Sequence, residues 1–373
     1  MYATRLRFAA SALLVLLAIT PCPSLAQEAP AMLPPITGVV HAIAPDGAGG
    51  WYVGGAFDRV GGLKRSNLAH IRADQSLSLW RPDADGPVFA LAVSGGTVYV
   101  GGAFGRVGGQ QRNRLAAVDN SFGLATLWNP DLDGAVFALA VGEGTVYAGG
   151  CFSRVGGVPR SHLAAIDAAS GFAALWRPEV TGTVWSLAVE GGTVYAGGSF
   201  TRVGDLPRRH LAAIDAASGL ADLWRPDPDG PVAALAVASG DVYVGGCFTR
   251  IAGLPRNHLA AIDATSGLAE PWNPDANGAV SAIAVSDGAV HVGGRFTRIR
   301  GLARGHLAAL DLELGLAALW NPDANGPVLA LAAGEGNLYV AGSFTRMKDL
   351  ARDRFAALEP VIGLPLLWIQ GVE

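Results

Sequence analysis

Short apolar runs alternate with glycine-rich and polar turns along almost the whole chain. In one stretch, Val136 to Val141 is apolar, Gly142 to Gly144 is a turn, and Thr145 to Gly150 is largely apolar again. Neither run has helical length, so the pattern predicts two antiparallel strands joined by a tight hairpin. After a longer polar connection, apolar runs return at His162 to Asp167 and at Phe172 to Trp176. The stretch therefore predicts four short antiparallel strands.

This unit occurs seven times, with a Gly-Gly-x-Phe element inside each copy, broken only by Ala341 in the last, and a tryptophan at its end. The phenylalanines are Phe57, Phe104, Phe152, Phe200, Phe248, Phe296 and Phe344. The tryptophans are Trp80, Trp128, Trp176, Trp224, Trp272, Trp320 and Trp368, with a constant period of 48 residues. Radial repetition lets each sheet bury both faces against its neighbours. The repeats therefore predict an all-β fold, a seven-bladed β-propeller of four-stranded antiparallel blades.

The amino terminus has the pattern of a secretory signal peptide over residues 1–26. Arg5 and Arg7 form its positive end, an apolar run follows, and small residues precede a cleavage point after Ala26. Residues 27–373 are then expected to form a single propeller of 48-residue repeats. No strand is left over to be exchanged, so we expect the ring to close by side-chain packing. The mature protein is expected to be secreted, either to the periplasm or outside the cell.

Charge and cysteine content limit the partners further. The net charge is −4, and losing Arg5 and Arg7 with the signal segment makes it −6. Nucleic acids and anionic membranes bind clustered positive charge, so neither partner is expected. Cys151 and Cys247 are two repeats apart and predict no disulfide. We expect a monomer with no membrane span, no cofactor and no metal.

The repeat resembles a known bacterial family. Val-Tyr-Val-Gly-Gly-x-Phe followed by Asn-x-Leu-Ala-Ala-[Ile/Val]-Asp is similar to the delta-60 repeat, a β-propeller domain of unknown function in secreted and surface proteins. The resemblance covers roughly residues 33–370 and implies a propeller fold and export, but no chemistry. Residues 213–219 together with Trp224 also resemble the tryptophan-docking pattern of quinoprotein propellers. That second resemblance implies a structural tryptophan packed between blades.

The longer connections of an up-and-down propeller share one face, here called the long-loop face. Arginines and acids recur there in almost every unit. They could form a crown that binds anions or sugars, or they could pair with each other and hold the loops in place. Because packing follows the repeat symmetry, recurrence favours the structural interpretation. The expected structural loop pairs involve Arg154, Arg202, Arg250, Arg298, Asp131, Asp227, Asp275 and Asp323.

Two sets of candidate metal ligands also recur. Asp131-Leu132-Asp133-Gly134 resembles the start of a calcium loop, but Asp-Gly is equally a turn signal and the remaining ligands are not visible. Histidines occupy one repeat position in four successive units, which places them on different blades, too far apart to bind one metal. These histidines are His162, His210, His258 and His306. We interpret them as surface or loop-capping residues.

One position in the first strand breaks the repeat. The residue after its first valine is, in order, His41, Phe89, Phe137, Trp185, Ala233, Ser281 and Leu329. Four rings facing smaller groups near the channel mouth could form a wall for a sugar or a peptide. Alternatively, they could fill space between blades. The candidate ligand-binding residues are therefore His41, Phe89, Phe137 and Trp185.

No catalytic motif accompanies these positions. The sequence has no Gly-x-Ser-x-Gly, His-Glu-x-x-His, Cys-x-x-Cys or phosphate-loop signature. We therefore predict a secreted, non-catalytic propeller that acts as a binding or scaffold module, with an unknown ligand or protein on the long-loop face. One alternative is a glycosidase-like enzyme that acts on carbohydrate through loop carboxylates. Another is a partner in cell-envelope adhesion or assembly.

Overall fold

The computed structural model describes residues 34–334 and 336–359. The signal-like segment, the last tryptophan, Trp368, and the last predicted strand lie outside them. Within the described residues, seven antiparallel sheets repeat around a central channel, and the seven-bladed propeller is confirmed. We number the blades one to seven along the chain.

The strands nearest the channel are the inner strands, and the next ones outward are the middle strands. The inner strands are Ile36–Pro45, Val88–Ser94, Val136–Gly142, Val184–Glu190, Val232–Ala238, Val280–Ser286 and Val328–Gly334. The middle strands are Trp51–Val60, Thr97–Gly102, Thr145–Gly150, Thr193–Gly198, Asp241–Gly246, Ala289–Gly294 and Asn337–Gly342. Each inner strand lies beside the inner strands of both neighbouring blades.

A third strand completes each sheet. The long loop before it contains a short hairpin whose two strands have two residues each. The outer strands are Leu68–Ile71, Leu115–Asp119, Leu163–Asp167, Leu211–Asp215, Leu259–Asp263, Leu307–Asp311 and Phe355–Leu358. Six loop hairpins pair Arg106–Val107 with Gln110–Gln111, Arg154–Val155 with Val158–Pro159, Arg202–Val203 with Leu206–Pro207, Arg250–Ile251 with Leu254–Pro255, Arg298–Ile299 with Leu302–Ala303, and Arg346–Met347 with Leu350–Ala351. In blade one, the strand Leu63–Lys64 pairs with the extended middle strand.

The predicted fourth strand is much shorter than expected. In blade three it is reduced to one bridge, between Ile166 and Ala173. Phe172 and Leu175 are exposed on either side of that bridge, whereas Trp176 is buried. The segment leaves the sheet edge because its tryptophan turns inward to pack against the next blade. Blades one, two, four, five and six show the same single bridge.

That tryptophan joins consecutive blades. The Trp176 indole N–H donates to the carbonyl of Asp215, at the end of the next blade's outer strand, at 2.9 Å. Its ring lies edge-on to Tyr147 of its own blade, with ring centroids 5.3 Å apart. Gly219, in the next blade's turn, lies against the same ring, and a Cβ there would come within 3.2 Å of it. The docking predicted for this pattern is therefore present, although the glycine contacts the preceding blade's tryptophan rather than Trp224.

Six of the seven middle strands have a Gly-Gly pair, which is explained by close packing between blades and within one blade. A Cβ on Gly149 would lie 2.6 Å from Val184 of the next inner strand, and one on Gly150 would lie 2.0 Å from the carbonyl oxygen of Ala135. Both distances are too short for a side chain. In these blades glycine allows the close approach of the strands, whereas blade seven has Ala341 at the first of the two positions.

Blades one and seven meet through side chains. The Trp51 ring lies 4.5 Å from Tyr339 and 5.4 Å from Phe355, measured between centroids. Among the described residues, the two sheets share no strand. Because the predicted last strand lies outside these residues, closure by packing alone stays a prediction. Within the described ranges, no helix is long and apolar enough to cross a bilayer.

Blade six carries one polar substitution in its core. His291 occupies the position where the other blades have tyrosine, and it is fully buried against Trp320. Neither of its ring nitrogens has a hydrogen-bond partner among the described residues. Burial lowers its pKa to about 4, with a small opposing effect from Asp287. The folded protein therefore holds this imidazole neutral.

Substituting the docking tryptophan should weaken the ring of blades. Trp176→Phe keeps an aromatic ring but removes the indole N–H donated to the Asp215 carbonyl, which then keeps only the Gly219 N–H. The free energy of unfolding should fall by about 0.5–1.5 kcal/mol, as for loss of one hydrogen bond. The measurement is urea denaturation followed by circular dichroism. Leu175→Ala is the matched control because Leu175 is almost fully exposed. Equal effects of the two variants would contradict the docking role.

The buried histidine should make the protein sensitive to acid. Its pKa falls from about 6.5 unfolded to about 4 folded, so below pH 6.5 the unfolded chain binds a proton that the folded chain excludes. Stability should therefore decrease as the pH falls from 6.5 to 4, by up to about 3 kcal/mol. His291→Tyr should reduce this decrease in melts at pH 7 and pH 4.5.

Tyr243→His is the reciprocal variant, because Tyr243 is the equivalent buried residue of blade five. It should increase the loss of stability at pH 4.5. If both variants follow the wild-type pH dependence, His291 is not the source of acid sensitivity.

Candidate ligand site at the channel mouth

Every inner strand contains a β-bulge at the long-loop end of the channel, which we call the channel mouth. In blade three the register shifts between Val136 and Ala138, so Phe137 has no partner on the middle strand. The corresponding unpaired residues are His41, Phe89, Phe137, Trp185, Ala233, Ser281 and Leu329. A bulge redirects the side chain of the extra residue. The positions at which the sequence departs from its repeat are thus the positions of the β-bulges.

Three of the rings contact one another across neighbouring blades. His41 and Phe89 have ring centroids 5.4 Å apart, and Phe89 and Phe137 have centroids 5.3 Å apart. Trp185 follows on blade four with 39% of its surface exposed. Burial lowers the pKa of His41, which keeps that ring neutral at physiological pH. The structure thus gives blades one to four an aromatic arc of His41, Phe89, Phe137 and Trp185.

The channel forms an open pocket of about 200 Å³ lined by inner-strand residues of all seven blades. Most of the lining is alanine, leucine and isoleucine. Ser186 is different: it is 92% buried and lines the cavity, and its hydroxyl has no hydrogen-bond partner among the described residues. The other blades have Ala42, Ala90, Ala138, Ala234, Ala282 and Ala330 at this position. Blade four therefore adds both an exposed ring and an unpaired hydroxyl.

An arginine lies on the long-loop face of blade six. Arg295 follows the middle strand, and its backbone N–H donates to the carbonyl of Ala279 at the start of the inner strand. Its side chain is exposed and has no hydrogen bond or ion pair among the described residues. Sequence analysis did not select Ser186 or Arg295. The same search for departures from the repeat would have found both.

The second acid of the Asp-x-Asp-Gly loops caps backbone groups. The Asp133 carboxylate accepts N–H groups of Ser153 and Arg154, at 2.8 and 2.9 Å, and the Ser153 hydroxyl at 2.6 Å. Partial burial acts to raise the pKa of Asp133, but these hydrogen bonds outweigh it and lower the pKa. Asn277 does the same for Thr297 and Arg298 in blade six. The side chain at this position therefore joins two loops of one blade by hydrogen bonds.

The first acid of the same loops lies at a turn of the backbone. Asp131 and Asp275 both have φ near 53°, a left-handed conformation that Asp tolerates better than most residues. Their carboxylates accept the amide N–H groups of Asn113 and Asn257, each at 2.7 Å. These contacts explain the recurrence of the acid without a ligand.

The arginines have different partners from those expected. Arg154 and Arg298 donate to the carbonyls of Gly157 and Gly301 in their own hairpins, at 2.8 and 3.0 Å. Arg202 and Arg250 donate in the same way to the carbonyls of Asp205 and Gly253. Short hairpins bring these carbonyls closer than any carboxylate.

The expected acid partners also differ. Asp227 pairs with Arg225, two residues before it, at 2.6 Å. In the equivalent loops, Arg81 pairs with Asp83 and Arg177 with Glu179. Asp323, with φ of 49°, occupies the same turn position and has no ion pair among the described residues. The arginines and acids thus hold the loops, but through local turns rather than through the pairs expected.

Three of the four recurring histidines, His162, His258 and His306, cap loops rather than meeting at a metal. His162 Nδ1 lies 3.0 Å from the Val180 carbonyl oxygen, and His258 Nδ1 lies 3.2 Å from that of Gly246. Away from the long-loop face, Asp241, Asp263 and Glu270 bring carboxylate oxygens within 4.8 Å of one another. Burial, then Glu270 and Asp263, raise the pKa of Asp241. Acidic groups of this kind are common without a bound ion, so we assign it no role.

The fold and the channel mouth together define the class of protein to which this chain belongs. This chain is a seven-bladed β-propeller with similar loops in every blade and a variable ring of bulged residues around its channel. Solved propellers share the architecture at low sequence identity, which shows the fold alone. The WD40 propeller domain of Doa1 is 12% identical, with a TM-score of 0.60, covering 88% of this chain and 94% of that one.

Two further structures give the same result. A chain of a mitotic checkpoint complex is 14% identical, with a TM-score of 0.57, covering 90% of this chain and 97% of that chain. The computationally designed protein Ika8 is 16% identical, with a TM-score of 0.57, covering 88% and 86% respectively.

A family model identifies the chain more closely. Residues 37–320 match the family described as outer membrane protein assembly factor BamB, and the chain belongs to that family. The resemblance to the delta-60 repeat is thus confirmed for the repeated propeller fold, but the matching family is BamB. No curated protein sequence gives a significant match.

Replacing Asp133 should loosen the long-loop face of blade three. Asp133→Ala removes an acceptor for two backbone N–H groups and should lower the free energy of unfolding by about 1 kcal/mol. Asp133→Asn is the matched control, because Asn277 already fills this role in blade six. Urea denaturation at pH 7 should place the Asn variant near the wild type.

The pH dependence gives a second check. Because the folded pKa of Asp133 is lowered, its charge stabilises the fold at neutral pH, and this contribution is lost as the pH falls through that pKa. Asp133→Asn cannot titrate, so it should lose less stability than the wild type on acidification. An Ala variant as stable as the Asn variant would contradict the capping role.

Proposed function

We propose that this protein is a secreted, non-catalytic propeller of the cell envelope that binds a ligand or partner at the channel mouth. The observation that carries the proposal is the contrast between loops and mouth. Charged loop residues recur and are engaged by their own turns, whereas the bulged residues differ in every blade except two. A binding surface needs such asymmetry, because a ligand rarely has the symmetry of a seven-bladed ring.

The cell-envelope location is supported by two independent features. The BamB family description names outer membrane protein assembly. Residues 1–26 have the composition of a secretory signal. Assembly of a protein partner at the same mouth is the second candidate function, favoured by that family description.

A carbohydrate-cleaving enzyme is less well supported. Such an enzyme needs two carboxylates free to act as acid and as base or nucleophile. In the described loops, Asp133 and Asp229 accept backbone N–H groups. Asp83 and Asp227 form ion pairs with neighbouring arginines. These contacts lower the availability of the loop acids for proton transfer. We therefore propose binding without catalysis.

Binding of envelope material should depend on the mouth. The purified protein is immobilised and outer-membrane vesicles are passed over it. We expect the double variant Phe137→Ala/Trp185→Ala to retain at least about fivefold less vesicle material, because it removes the exposed apolar surface. Leu175→Ala/Leu223→Ala is the control, since both leucines are highly exposed on the blade edges.

Thermal melts should first show that both double variants are folded. Equal retention by the mouth and edge variants, or no retention by the wild type, would overturn the proposal.

A further inference from the structure

We propose that Trp51 takes the place of the docking tryptophan at the junction between blades seven and one, here called the seam, and leaves no room there for Trp368. By its spacing, Trp368 is the tryptophan expected to dock blade seven on blade one. Four residues of the seam depart from the repeat: Trp51, Gln75, Leu77 and Phe355. How the ring closes is separate from what the mouth binds.

Trp51 stands where every other blade has a smaller aliphatic residue. The equivalent residues of blades two to seven are Val98, Val146, Val194, Val242, Val290 and Leu338. Each of them lies in the same buried cluster as the docking tryptophan of the preceding blade. At the seam, that cluster contains Trp51 itself, which is 2% exposed. An indole therefore fills this part of the seam, but it comes from the opposite blade.

Trp51 also covers the tyrosine that a docking tryptophan contacts. Between blades three and four, the Trp176 ring lies edge-on to Tyr147. Tyr339 is the equivalent tyrosine of blade seven, and the Trp51 ring lies against it, with centroids 4.5 Å apart and the ring planes inclined by 30°. The same indole stacks on Phe355 at 5.4 Å. Trp51 thus makes the aromatic contacts of the seam.

Gln75 occupies a position at which docking needs a close approach. A Cβ on any of the equivalent glycines of blades three to five would lie 3.1–3.2 Å from the preceding docking ring; these are Gly171, Gly219 and Gly267. That distance is already shorter than an ordinary contact between carbon atoms. Gln75 keeps the left-handed backbone, with φ of 66°, and adds a side chain that is almost fully buried. An indole in the docking position would meet this side chain.

Leu77 and Phe355 fill further space at the seam. Leu77 replaces the alanine of the equivalent bridge, such as Ala173 in blade three, and Phe355 replaces a leucine such as Leu163. Both pack against the seam cluster. Together with Trp51, they add at least as many side-chain atoms as one tryptophan contains. Because protein interiors are close-packed, this added volume takes the place of a docking tryptophan.

The substitution replaces the packing of the docking tryptophan but not its hydrogen bond. The indole N–H of Trp51 is buried and has no hydrogen-bond partner among the described residues. At the six other junctions the indole N–H donates to the next blade's outer strand. Within the described ranges, Trp51 therefore holds blades seven and one together by ring packing alone.

The test is urea denaturation of the mature full-length chain, followed by circular dichroism, with three single variants. Trp51→Val introduces the residue of the other blades and should lower the folding equilibrium constant by roughly 100-fold or more, because a large buried ring is lost. Trp320→Phe removes an observed docking bond and should lower it by about two- to tenfold. Trp368→Phe should leave it unchanged.

A reciprocal variant tests the fit of the indole. The triple change Trp51→Val/Gln75→Gly/Leu77→Ala gives blade one the residues of the other blades. In this background Trp368→Phe should become destabilising by about the same factor as Trp320→Phe, because an indole can then dock. A double-mutant cycle measures this coupling between neighbouring residues. If the triple variant does not fold, the three single variants still decide.

Acrylamide quenching gives an independent measure of where Trp368 lies. The fluorescence that Trp368→Phe removes should be quenched as strongly as that of free N-acetyltryptophanamide. The fluorescence that Trp320→Phe removes should be quenched weakly, because Trp320 is buried.

Equal destabilisation by Trp368→Phe and Trp320→Phe in the wild-type background would overturn the proposal, because Trp368 would then be docked. So would a Trp51→Val variant as stable as the wild type, or fluorescence of Trp368 that acrylamide does not quench.

Discussion

The hydrogen bond from the docking indole of blades one to six to the end of the next blade's outer strand is the constraint on which this fold depends. A three-stranded sheet has two apolar faces and cannot bury both alone. The Trp176 indole N–H joins one sheet to the next by donating to the Asp215 carbonyl, and its ring packs against Gly219 in the adjoining turn. The same donation, to an acceptor 39 residues along the chain, recurs in six blades. It also explains why the fourth strand is short, because the tryptophan must leave the sheet to reach its acceptor.

The long loops are also held in place by local hydrogen bonds. Asp133 caps backbone N–H groups, Asp131 sits at a left-handed turn, and Arg154 closes its own hairpin. These charged groups look like a binding crown in sequence, yet Asp133, Asp131 and Arg154 are already hydrogen-bonded to neighbouring loop groups. A rigid rim of this kind presents the bulged residues at the mouth with little conformational entropy left to lose on binding.

Symmetry separates the structural residues from the candidate functional ones. Positions that dock, cap or pack are nearly identical in every blade, because each blade solves the same packing problem. Departures from the repeat include Trp185 and Ser186 on the inner strand of blade four and Arg295 on the long-loop face of blade six. His291 is a departure of another kind, because it lies in the core, where it affects acid stability rather than recognition.

The sequence by itself determined the repeat, the number of blades and the positions that break symmetry, since these follow from spacing and from the alternation of apolar and polar residues. It could not determine partners in space. The arginine and acid pairs expected between loops are replaced by contacts inside short hairpins, because backbone carbonyls lie closer than carboxylates. Nor could the pattern show that Phe137 occupies a bulge. A bulge depends on how the inner strand pairs with its neighbour while packing around the channel, and only the tertiary structure brings those strands together.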